Sequence, residues 1–168
     1  MKNERRKSVM AIFPNTRGFA YVVFEGPLSP IDWGMSDVRG SHKNDMAVRR
    51  ISRLMASLVP DVLVLRAIAD LQAPRGRRLC KLVQSLEELA HTSGIPSAQF
   101  GRQDVRQTFR YLGSPARYAI VRSIAKHIPS FDPYVPPPRQ FWKSEDRRMG
   151  LFDAAALALT FYRHNPAF

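Results

Sequence analysis

Carboxylates and guanidiniums are the side chains here whose types and spacing could do chemistry. Glu145, Asp146 and Asp153 lie close together in WKSEDRRMGLFDAAALALT. Carboxylates that converge with water suit hard cations such as Mg²⁺ or Mn²⁺. Asp146 and Asp153 are seven residues apart, which puts both on one helical face. Seven residues at a rise of about 1.5 Å still separate their backbones by about 10.5 Å. They would need a further acid to share one ion. Ser144-Glu145-Asp146 also reads as an ordinary helix start, with Ser144 as N-cap and acids at the positive end of the dipole. Asp153 sits inside an apolar stretch, where no such reading serves.

The basic residues fall in clusters. Arg75, Arg77, Arg78 and Lys81 follow a nearly continuous apolar run, and Arg77 and Arg78 open a helix whose N–H groups favour phosphate. Arg102, Arg106 and Arg110 recur every four residues and form one helical stripe. Arg117, Arg122 and Lys126 come next. A solvated charged face explains any one cluster; several in one small domain point to phosphate. Phe109 and Tyr111 lie among them, with core packing the plainer role and base stacking the alternative.

Composition agrees. Twenty-six Lys and Arg against fourteen Asp and Glu give a formal charge of +12 in 168 residues. Such an excess draws polyanions, so DNA or RNA is the expected partner. Cys80 is the only cysteine, which excludes an intrachain disulfide and a cysteine-based zinc cluster. The four histidines are scattered without ligand spacing. The apolar run after the basic start MKNERRK is too short for a signal-peptide core, and no 18-residue apolar stretch occurs. A cytoplasmic protein with no membrane partner is expected. Its length and 45% hydrophobic content suit one domain over 1–168.

The elements that would position these groups read in the order βββ-α-β-α-β-α-α-α. Residues 8–13 and 18–25 have strand character around a Pro14–Gly18 turn, and 31–38 follows with Trp33 and Met35 on one face. Residues 43–58 and 76–92 have helical periodicity. Between them VLVLRAIA reads as a strand buried on both faces. Ser97–Phe100 is a short strand. Helices are expected over 102–111, 115–128 and 145–163. Five prolines in 129–141 make that stretch an irregular connector, with Phe141 and Trp142 stapling the last helix. Its alternative is a polyproline ligand for a partner domain. The fold class expected is α/β, a mixed sheet with three antiparallel strands first and helices on both faces.

AIFPNTRGFAYVVFEG resembles the opening strand and turn of RuvC-type Holliday-junction resolvases, members of the RNase H-like superfamily. PDVLVLR resembles their middle strand, and SEDRRMGLFDAAALALTFY their final helix. The three segments come in the family's order and span nearly the whole chain. The resemblance implies carboxylates from all three segments holding two Mg²⁺ ions for phosphodiester hydrolysis. It implies branched DNA as substrate and a homodimer as the working form.

The departures fall on the chemistry. The family's first acid maps to Phe13 and the middle one to Arg66. Asp153 keeps the helix position, but Gly150 stands three residues before it. Asp70, Asp146 and Glu145 are the acids that could substitute beside Asp153; Asp32 and Asp37 lie near the third strand. Arg66 could neutralise Asp153 as a salt bridge in place of an ion. The expected function is nucleic-acid binding by a degenerate nuclease fold, with no cofactor. An active Mg²⁺- or Mn²⁺-dependent endonuclease with a rearranged acidic set is the first alternative. A non-catalytic protein-interaction module is the second.

Overall fold

Alternation along the first strand sets the layers. Val9 and Ala11 point into one core and Met10 and Ile12 into the other, all four fully buried. The computed structural model describes residues 5–168. Strand β1 (Val9–Pro14) pairs antiparallel with β2 (Gly18–Phe24), which pairs antiparallel with β3 (Pro30–Asp37). On its other edge β1 pairs parallel with β4 (Val62–Arg66), and β4 pairs parallel with β5 (Ser97–Phe100). The sheet order is β3-β2-β1-β4-β5. Helices α1 (Lys43–Leu58) and α2 (Arg77–Thr92) cover one face. Helices α4 (Arg117–His127) and α5 (Met149–His164) cover the other, with α3 (Arg102–Thr108) beside α5. This is the α/β arrangement expected from the pattern.

Small side chains let α5 lie close on the sheet. Ala154, Ala155, Ala156 and Ala158 are buried, and Phe152 fills the space beside Phe131 with rings 6.2 Å apart. Trp33 meets Phe131 edge-on at 5.2 Å, so the third strand faces this core as expected. The β1–β2 turn is held by Asn15, whose Oδ1 accepts the N–H groups of Arg17 and Gly18, each at 3.0 Å. A Cβ at Gly18 would stand 1.9 Å from the Ser36 carbonyl oxygen, so only glycine passes there.

Several boundaries differ from the sequence reading. The middle strand stops at Arg66, and Ile68–Leu71 turns away as a 3₁₀ segment. Arg110 belongs to a 3₁₀ turn, Arg110–Leu112, so the Arg102–Arg106–Arg110 stripe is broken after α3. Pro129–Tyr134 forms a 3₁₀ helix within the Pro-rich connector. The last helix begins at Met149, not at 145. Asp146 accepts the Arg148 N–H at 2.9 Å and its guanidinium at 2.9 and 2.7 Å, which favours a turn before the helix. Ser144 therefore caps nothing. Phe141 and Trp142 do not staple α5, because both stand exposed.

Candidate functional site

The carboxyl ends of the parallel strands β1 and β4 open into a cleft of about 760 Å³, where open α/β sheets place their ligands. Its floor is formed by Phe13 and Arg66. The guanidinium carbon lies 4.2 Å from the ring centroid, and Nη1 donates to the Pro14 carbonyl at 2.8 Å. The Arg66 Nε is buried without a hydrogen-bond partner. Burial pushes this guanidinium below its usual pKa, while Asp153 and Asp70 pull it back up.

Helix α5 brings Asp153 to the wall. Its partner is Arg117 at the start of α4, not Arg66: Nε meets Oδ1 at 2.9 Å, and Nη2 closes a fork on Oδ2. The expected Arg66–Asp153 salt bridge is thus corrected. Arg66 turns its Nη1 to Pro14, and α4, distant in sequence, supplies the cation. Burial pushes the Asp153 carboxyl above its usual value, against the pull of Arg117, Arg66 and Arg102. Arg117 Nη1 also holds Glu145.

Each remaining acid of the cleft is engaged as well. Asp70 accepts the Arg102 N–H at 2.8 Å, tying the turn after β4 to the start of α3. Asp146 is gripped by Arg148, which lowers its pKa to about 2 despite the opposing effect of burial; the Arg148 N–H and the Arg17 charge assist. Asp37 faces Arg147 at 3.5 Å. One turn before Asp153, a Cβ at Gly150 would lie 3.0 Å from Asn15 Nδ2 and 3.3 Å from Ala20 Cβ.

The structure thus gathers Asp70, Glu145, Asp146 and Asp153 around one cleft. Arg75, Arg102 and Arg106 line it too, together with Arg17, Arg66, Arg117 and Arg147. Arg77, Lys81 and Arg110 are exposed outside this lining. Arg78 serves the scaffold instead, donating to Asn44 Oδ1 at 3.0 Å and to the Asn15 carbonyl at 3.2 Å. Phe109 is buried in the core; Tyr111 is exposed and hydrogen-bonds Ser123. Arg17 and Arg147 were not singled out by sequence. Their signal was position: Arg17 follows the end of β1, and Arg147 precedes α5.

Magnesium, which the resembled family implies, does not fit the donor set at this corner. A ring and a guanidinium occupy the strand ends, and the acids are turned to arginines. Among the described residues no three His, Cys, Asp or Glu side chains converge as metal ligands.

The whole architecture has solved counterparts. The Thermus thermophilus RuvC structure superposes with a TM-score of 0.64 at 18% identity, covering 95% of this chain and 96% of that one. T. thermophilus RuvC in complex with Holliday junction substrate gives 0.62 at 17%, with the same coverage. The fowlpox virus Holliday junction resolvase gives 0.55 at 12%, covering 94% and 99%. The chain therefore has the RuvC-like, RNase H-like fold over nearly its full length. No protein-family model and no curated protein matches it.

Proposed function

We propose that this protein binds nucleic acid, with branched DNA as its preferred form, and does not cut it efficiently. The observation that carries the reading is the cleft itself. Seven arginines face five carboxylates along it, at the carboxyl ends of β1 and β4. T. thermophilus RuvC and the fowlpox resolvase have both been solved with Holliday junction DNA. A junction arm laid in this cleft would meet guanidiniums suited to bidentate phosphate contacts. Impaired cleavage follows from donor chemistry. In-line hydrolysis by two ions needs oxygen ligands where Phe13 and Arg66 stand. The overall charge of +12 adds long-range attraction. Among the described residues no helix is long and apolar enough to cross a membrane.

The test is a binding and cleavage assay on a labelled four-way junction and a blunt duplex of equal length. Tighter binding to the junction is expected. Affinity should fall with salt, each neutralised phosphate adding about 0.9 to the log–log slope on duplex DNA. Strands should stay intact in Mg²⁺ or Mn²⁺. Metal-dependent nicking abolished by Asp153→Asn would establish the active endonuclease instead. Absence of binding at low salt would leave the protein-interaction module.

A further inference from the structure

The connector between α4 and α5 carries two aromatic rings that the core does not use. Phe141 is 90% exposed and Trp142 67%, the two highest values among the large apolar side chains of the described residues. Their rings meet edge-to-face with centroids 4.9 Å apart. Trp33 shows the ordinary fate of such a ring here, packed against Phe131 and Tyr134.

The pair is mounted on a fastened turn rather than a loose strand of chain. The Lys143 N–H donates to the Gln140 carbonyl at 2.9 Å, and Arg139 Nε donates to the Lys143 carbonyl at 3.1 Å. Upstream, Pro136 is buried and its carbonyl accepts the Tyr118 hydroxyl at 2.9 Å. Downstream, Arg117 holds Glu145 and Arg148 holds Asp146. Two residues after Trp142, the stretch from Ser144 to Arg147 forms part of the cleft wall. In sequence Arg139 and Lys143 bracket the two rings, and Arg147 follows on the cleft wall, where it faces Asp37.

An occupant must offer flat apolar faces to the rings and negative charge to the cations around them. An aliphatic protein surface meets the first need and an acidic peptide the second. Unstacked nucleobases on a phosphate backbone meet both. We propose that Phe141 and Trp142 form a stacking platform for unpaired bases of the nucleic acid whose backbone lies in the arginine-lined cleft. Such bases occur in single strands and at the opened centre of a branched duplex. The proposal rests on the nucleic-acid reading above and adds to it a preference for unstacked bases.

The experiment uses the full chain with three probes: a four-way junction, a single strand and a blunt duplex of equal length. Tryptophan fluorescence should be quenched by the first two and not by the duplex, with the response lost in Trp142→Phe. The double variant Phe141→Ala, Trp142→Ala should weaken junction and single-strand binding roughly tenfold. Duplex affinity and salt slope should stay as in the native chain. Its melting midpoint should not move, because neither ring is buried. Equal affinities of native and variant chains for all three probes would overturn the platform and leave the cleft reading standing. Equal quenching by the blunt duplex would do the same. So would a native dimer that the double variant converts to monomer with probe preferences unchanged. A native chain that binds none of the probes would overturn the cleft reading and the platform together.

Discussion

At the amino ends of β1 and β4 a single carboxylate is fully provided for. Asp61 accepts the Ser8 N–H at 2.7 Å and Arg5 Nη2 at 2.9 Å. Burial pushes it up, but those donors prevail and hold it below its usual pKa. At the carboxyl ends of the same strands the balance runs the other way. Asp153 is pushed up by burial, Arg66 is pushed down by burial, and one Arg66 nitrogen has no partner. Charges there are held against desolvation, with more arginines than acids around them. One end is finished as structure. The other keeps cationic capacity that the fold itself does not consume, as a binding surface for anions would.

Substitutions at the two ends can break that contrast. The largest loss is expected for Arg117→Met, which leaves Asp153 and Glu145 without their shared cation. We expect about 2–3 kcal/mol less stability at pH 7 by urea denaturation. The sign follows from Asp153. Its folded pKa is raised, so its contribution is present below about pH 4 and lost as pH rises through the folded value. The variant's deficit should therefore shrink on acidification. At the opposite end, Asp61→Ala should cost about 1–2 kcal/mol by leaving the Ser8 N–H without its acceptor. A greater loss there than for Arg117→Met would reverse the comparison.

Asp146→Asn should cost about 1 kcal/mol at pH 7. Its folded pKa is depressed to about 2, so its stabilisation is present above about pH 4 and lost as pH falls towards 2. Native and variant melting midpoints should converge across that acid window. The smallest effect is expected for Arg66→Met. Replacing a desolvated cation with an apolar chain of similar length should change stability by less than about 1 kcal/mol. A loss matching that of Arg117→Met would make Arg66 the partner of Asp153 after all.

The same contrast shows what the sequence could reveal. The continuous apolar run of β4, buried on both faces, and the helical periodicity in α1 and α2 are local patterns, so they are legible in the sequence. The neighbourhood of Asp153 is not, because Arg117 reaches it from 36 residues away. The sequence places the start of α5 too early because Ser144-Glu145-Asp146 matches a capping signature, whereas the helix begins at Met149. Arg148 diverts Asp146 into a turn that no local pattern announces. Phe141 and Trp142 read as packing residues because aromatic rings usually pack, yet both stand clear of the core.

Gly150 fits closely beneath the hairpin, with Asn15 and Ala20 the first residues that a side chain there would meet. A side chain at that position would need the Asn15 amide and Ala20 to give by a few tenths of an ångström, and that amide is the one whose Oδ1 holds the β1–β2 turn. Acids placed at 13 and 66 would therefore gain no companion at 150 without an adjustment of that turn. Helix α5 and the hairpin are thus coupled through one amide: bulk added at 150 would be felt at the turn that closes β1 onto β2.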